Sequence, residues 1–274
     1  MRTLIAALSL LGVLACVGAA RAAEPALTLS FGGEERRYSA SELLARPDAQ
    51  TITIPDDVSY KRAMTYRAVP LLGFLGGLPM QGVGTIEARA TDGFASQIPL
   101  ALVEKAATGG SSAWIAVEDA AAPWPPLPGK TVSAGPLYLV WEHPARSNVG
   151  RELWPYQLGA LAGVEAPALR WPQMAVDTSL PAGAPERRGQ IVFTEQCMSC
   201  HRMKGAGTGD IGPDLGKPMG PTQYFKPEAL RQLIRDPKSL RTWPAQQMPG
   251  FDRSVLPDAD LDALVAYLAY MAPP

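Results

Sequence analysis

Two thiols separated by two residues and followed at once by an imidazole, in Cys197-Met198-Ser199-Cys200-His201, are the residues of this chain best suited to chemistry. Thiols at that spacing can add to the two vinyl groups of one haem, while the adjoining imidazole is carried beneath the iron as proximal ligand. The pattern reads as a haem c attachment site holding one covalent cofactor. Two other uses compete for the same residues. A zinc site needs four ligands, yet no second cysteine pair exists and the other histidine, His143, lies far upstream. A dithiol redox pair would open a helix after a strand and would have no use for His201.

A six-coordinate iron needs a second axial ligand. Met248, in Trp243-Pro244-Ala245-Gln246-Gln247-Met248-Pro249-Gly250-Phe251, follows His201 by enough chain to pass round a haem edge and return over its opposite face. Met203 is too near His201 to cross the ring, and Met219 sits in a loop expected on the proximal side. Both are better suited to packing or to the surface. A site left open or filled by water is the remaining alternative.

From about Pro185 to Pro274 the chain resembles a class I, mitochondrial cytochrome c-like domain. Gly189 and Phe193 stand on a helix leading into Cys197, and Leu264-Val265-Ala266-Tyr267-Leu268 lies in a C-terminal helix. The resemblance implies that these helices cross closely at Gly189, with Phe193 and Tyr267 as an aromatic pair. It also implies that Pro213, in Ile211-Gly212-Pro213-Asp214-Leu215, accepts a hydrogen bond from His201. A ligating imidazole needs its other nitrogen held in this way.

Periodicity supports the same layout. Leu261, Leu264, Val265, Leu268 and Met271 fall on one helical face, with Asp258 and Asp260 in the first turn, where carboxylates favour the helix dipole. Pro227 opens and Pro237 closes a short helix carrying Leu230, Leu233 and Ile234. The expectation is an all-α domain over 187–274.

With 274 residues, 47% apolar and 19% charged, the chain is ordinary globular material and too long for one small cytochrome. The N-terminus reads as an export signal over 1–22: Arg2, an apolar run from Leu4 to Val17, then Ala20-Arg21-Ala22 as a cleavage site. A lipid anchor at Cys16 and an uncleaved membrane anchor are the competing readings. Each places the protein in the periplasm, and membrane association is not required. Once the signal is removed, the remaining thiols are Cys197 and Cys200, so no disulfide is available to staple either domain.

The stretch 23–176 reads as an α+β, strand-rich domain. Leu27, Leu29 and Phe31 alternate, and further strands are expected at Thr51–Ile54, Thr85–Ala90, Phe94–Ile98, Ala113–Val117 and Leu137–Trp141, separated by Gly and Pro turns. Ser39-Ala40-Ser41-Glu42 forms a capping box, and Pro70 in a first turn begins a short helix from Leu71 to Leu75. Tyr66-Arg67-Ala68-Val69-Pro70-Leu71-Leu72, Ala90-Thr91-Asp92-Gly93-Phe94 and Gly135-Pro136-Leu137-Tyr138-Leu139-Val140 resemble phrases of the molybdopterin-binding domain of the sulfite oxidase family. That family holds molybdenum through a cysteine, and Pro55-Asp56-Asp57 stands at the corresponding place. A thiolate-ligated molybdenum centre is therefore excluded and molybdopterin is not expected. The domain reads as a docking or structural module.

Two further features read as structural. Trp124-Pro125-Pro126-Leu127-Pro128 is a rigid connection with a buried tryptophan, and His143 before Pro144 is a surface or capped residue. Residues 177–186 read as a semi-extended spacer. The formal charge is −1, and from Pro185 onward 11 Lys and Arg face 10 Asp and Glu, which supplies no basic stripe for nucleic acid.

The expected function is single-electron transfer with a redox partner protein, a periplasmic dehydrogenase or a terminal acceptor. Two alternatives differ in class. One is the haem-bearing part of a molybdopterin-type oxidoreductase, which needs metal held without cysteine. The other is a haem-based ligand sensor, which needs a displaceable Met248.

Overall fold

The computed structural model describes residues 26–273. The expected export signal and the Cys16 anchor lie outside the described residues.

The first unit is built from two sheets. β1 (Ala26–Phe31), β2 (Glu34–Ser39), β5 (Thr85–Ala90), β6 (Ala95–Pro99) and β9 (Leu158–Val164) form a five-stranded sheet in the order β2-β1-β9-β5-β6. Its β1–β9 pair is parallel and its other pairs are antiparallel. β3 (Gln50–Ile54), β4 (Met64–Pro70), β7 (Ser112–Val117) and β8 (Leu137–Glu142) form an antiparallel sheet in that order. Short helices α1 (Ala40–Leu44), α2 (Leu71–Leu75), α3 (Leu100–Glu104) and α4 (Pro167–Arg170) lie between strands.

Alternation places Leu27, Leu29 and Phe31 of β1 in the core. The capping box at α1 is present, with Glu42 bonded back to Ser39. Pro70 is the last residue of β4 and the cap of α2 rather than a member of its first turn.

Two strands differ from the sequence expectation for physical reasons. β2, Glu-Glu-Arg-Arg-Tyr-Ser, is mostly exposed and charged, as an edge strand that must resist pairing with other chains. β9, Leu-Gly-Ala-Leu-Ala-Gly-Val, is poor in β-branched residues, and its Gly163 leaves space for Phe31, to whose ring a Cβ there would lie 2.3 Å.

Asp57, in the turn after β3, is fully buried. Its carboxylate accepts hydrogen bonds from the Ser59 and Tyr60 amides, both at 2.8 Å, and from the Tyr66 hydroxyl at 2.8 Å. Burial, with that carboxylate alongside, holds the Tyr66 hydroxyl protonated. Trp124, half-buried rather than buried, packs edge-on against Tyr66 at 4.9 Å. His143 is exposed in a left-handed conformation.

The second unit contains α5 (Pro185–Gln196), α6 (Pro221–Tyr224), α7 (Pro227–Arg235), α8 (Pro237–Leu240) and α9 (Asp258–Met271). Pro237 both ends α7 and opens α8. Helices α5 and α9 cross where Gly189 has no side chain: a Cβ there would lie 2.0 Å from the Ala263 carbonyl oxygen. Phe193 and Tyr267 meet at 5.6 Å, and Arg188 clasps Asp260 with two bonds of 2.7 and 2.6 Å. The buried surface of α9 is wider than one stripe, because Ala263 and Tyr267 are buried as well.

The partition between the units differs from the expected one. Met174 and Val176 belong to the helical core, so the first core ends before them. The stretch 177–186 is wrapped onto the second unit and does not act as a spacer. Arg187 donates to the carbonyls of Asp177, Thr178, Leu180 and Pro181, the Asp177 amide donates to the Tyr270 hydroxyl, and α5 already begins at Pro185. Tyr267 donates to the Met174 carbonyl at 2.8 Å. No described helix is long and apolar enough to cross a membrane.

Two measurements check this packing. Gly189→Ala is expected to cost about 1–3 kcal/mol through overpacking at the crossing, read as a lower denaturation midpoint. Glu87 of β5 receives bonds from Arg89, Gln97 and Arg170 at 2.6, 2.9 and 2.9 Å. Burial alone would raise its pKa, but these donors outweigh burial and hold it below the ordinary carboxylate value. A depressed folded-state pKa stabilises above the unfolded value and is lost as pH falls through the folded one. Glu87→Gln is therefore expected to cost about 1.5–3 kcal/mol at neutral pH, with the gap from wild type closing in acid.

Candidate functional site: an apolar crevice at the end of helix α5

Cys197 caps α5, and the chain then turns tightly: the amides of Cys200 and His201 both donate to the Cys197 carbonyl, at 3.1 and 2.8 Å. The turn leaves both thiols facing one cavity of about 450 Å³, within the ordinary size of a cofactor site. Neither cysteine is in a disulfide. Burial, and after it the nearby Glu152 carboxyl, raises the Cys197 pKa and pushes that of Cys200 up to about 11, so both sulfurs stand as thiols.

The His201 ring lies along the cavity wall. Its Nδ1 is 2.8 Å from the Pro213 carbonyl oxygen, which can only accept, so Nδ1 carries the proton and Nε2 keeps its lone pair for a metal. Burial lowers the pKa of the ring and the Pro213 bond opposes this.

Two features hold the Pro213 loop in place. Gly212 donates to the Cys200 carbonyl at 2.9 Å and is pressed against the ring, where a Cβ would be 2.3 Å from Cε1. Asp214 accepts from the amides of Lys204, Gly205 and Gly216.

The cavity is also lined by Gln246, Gln247, Met248 and Pro249 from the loop after α8, and helices α7 and α9 supply Leu233, Leu264 and Leu268. Of the three methionines weighed from the sequence, Met248 is the one that lines the cavity. Met203 is fully buried in the helical core, and Met219 is 48% exposed and away from the lining. Ile211, Tyr224 and Trp243 stand exposed at the rim.

The lining fits a flat, largely apolar cofactor with a few polar groups. Both side-chain amide atoms of Gln246 are buried there without a hydrogen-bond partner, an arrangement that calls for a polar group on whatever fills the space. Among the described residues no cluster of three or more His, Cys, Asp and Glu could hold a metal ion.

The structure therefore brings all four sequence-predicted site residues, Cys197, Cys200, His201 and Met248, to one cavity. Sequence reasoning missed Glu152 and Gln246. Gln246 had a weak signal as a close neighbour of Met248. Glu152 had none, because it belongs to the first unit and reaches the cavity only through the packing of the two units.

No curated protein matches the chain. Residues 186–272 match the family model for cytochrome c, and that span contains the thiol pair, His201 and Met248. The C-terminal third is thus a cytochrome c domain, and the protein that contains it is a haem-containing electron carrier.

Proposed function

We propose that the protein is a periplasmic one-electron carrier in which Cys197 and Cys200 hold a single haem c by thioether bonds and His201 and Met248 are its axial ligands. One observation carries this reading: both thiols, a tautomer-locked imidazole and a half-buried thioether line the same apolar cavity. Haem with such ligation supplies reversible one-electron chemistry, and a thioether ligand raises its potential. The chain's own task is to hold the ligands still. Pro213 orients His201, Asp214 pins the loop, and Leu233, Leu264 and Leu268 exclude water, so little has to move when charge changes.

The partner is a periplasmic dehydrogenase or a terminal acceptor. It would meet the cavity rim at Ile211, Tyr224 and Trp243, the exposed apolar side chains there. Nucleic acid is not a partner. The first unit keeps its reading as a structural and docking module with a likeness to the sulfite oxidase family. Support comes from the stretch aligned with that family's cysteine, where Asp57 is consumed by buried tyrosine and backbone bonds. Its contribution is closer than a tethered domain's, since its 150–152 segment touches α5 and the cavity. An export signal over residues 1–22, cleaved before Ala23, places this carrier.

Met248→Ala is the test. Covalent colour should survive denaturation, whereas the potential should fall and the ferrous protein should bind carbon monoxide promptly where wild type resists it. An unchanged potential with no new ligand binding would remove Met248 from the iron.

A further inference from the structure

The described residues that line the cavity include one carboxyl, that of Glu152. It does not come from the cytochrome unit. It sits on the 3₁₀ turn Arg151–Leu153 of the first unit, and that turn is held by two hydrogen bonds and packed against the end of α5. The Glu152 carbonyl accepts from the Ser96 hydroxyl at 2.5 Å, and the Leu153 carbonyl accepts from the Trp141 indole at 2.8 Å. Gly150 before it lies so close to the end of α5 that a Cβ would be 2.0 Å from Gln196 Oε1. The carboxyl is thus delivered to the cavity by a rigid wall.

The Glu152 carboxyl makes no hydrogen bond or ion pair among the described residues. Burial pushes its pKa up to about 7, with only Arg151 opposing. Arg151 on the same turn also helps to lower the pKa of Asp252, after the Ser254 and Val255 hydrogen bonds. From the turn after α5, the facing groups are the Cys197 and Cys200 sulfurs, which cease to titrate once they are thioethers. The other ionisable lining groups are His201, held by Pro213, and Tyr224 at the rim.

We infer that Glu152 is the residue through which the first unit sets the potential of the haem and ties the electron to a proton. This rests on the proposed attachment of haem at Cys197 and Cys200. When one electron arrives from the partner protein, the Glu152 carboxylate takes one proton from solvent; when the electron leaves, the proton leaves with it, so the charge in the cavity stays constant. Glu152 is a positioning and tuning residue and bonds to no reacting atom.

The sign follows from linkage. The extra positive charge of the oxidised site favours the carboxylate, so the carboxyl is the weaker acid in the reduced protein. The effect is reciprocal: the carboxylate favours the oxidised state by the same free energy. Between the two pKa values the midpoint potential falls as pH rises, approaching the one-electron, one-proton limit of about 59 mV per unit, and it is flat on either side.

The experiment is an equilibrium redox titration of the full-length, haem-loaded protein across the neutral pH range, followed by absorbance. Wild type should show the slope. Glu152→Gln should abolish it and raise the potential in the alkaline range, while Glu152→Asp should keep a slope in a displaced window. A pH-independent wild-type potential, or the same slope in Glu152→Gln, would overturn the inference. Should the glutamine variant not fold, a Glu152→Asp profile superimposable on wild type would do so. Protein purified without haem absorbance would instead count against the attachment itself.

Discussion

Helices α5 and α9 approach so closely at Gly189 that a methyl group there would overlap the Ala263 carbonyl. Everything at the site depends on that contact. It sets the end of α5, and so the place where Cys197 begins its turn. It also turns Leu264 and Leu268 of α9 toward the cavity while Ala263 and Tyr267 are spent on the crossing. The buried residues of the helical unit pack around a cavity of about 450 Å³. Burying a single Phe or Leu side chain contributes about 1.5–3 kcal/mol, so the Phe193–Tyr267 contact and the Arg188–Asp260 clasp matter more here than in a larger domain.

The two units are joined more tightly than a linker would require. The chain between them is tied by Arg187 to four carbonyls and by Tyr267 and Tyr270 to the segment that leaves the first unit. The 150–152 stretch then presses on the end of α5 from the other side. The cavity therefore has walls from both units, and the strand-rich unit shares in the electrostatics of the site. A carboxyl brought into an apolar crevice on a rigid turn is costly to bury, and no ion pair within the described residues compensates it. Such a feature is better explained by a role at the site than by folding stability.

The first unit is organised around its own buried charge. Asp57 adds to the bonds of its own turn a hydrogen bond from Tyr66 that fastens β4 to the segment before it. Tyr138 of β8 reaches the same carboxylate at 3.3 Å, which ties the two ends of the four-stranded sheet together. Buried carboxylates survive only when hydrogen-bonded in this way, and they then specify one arrangement of the strands around them.

Much of this was legible in the sequence, because the relevant physics is local or periodic. The thiol pair and adjoining imidazole, the alternation of β1 and the capping box of α1 each depend on neighbours within a few positions, whereas the Gly189 crossing was implied by the family resemblance. What escaped was decided at long range. β2 is a strand because β1 offers it an edge, although its residues are charged, and β9, whose Gly163 leaves space for Phe31, is one although it is poor in β-branched residues. Asp57 is buried because tyrosines from other strands converge on it. The sequence by itself determined the chemistry available at the thiol pair, His201 and Met248, since ligand type and spacing reside in the chain. Only the tertiary structure decided that these meet in one cavity and that Glu152 stands among them, because no local rule relates a turn of the first unit to the end of a helix in the second.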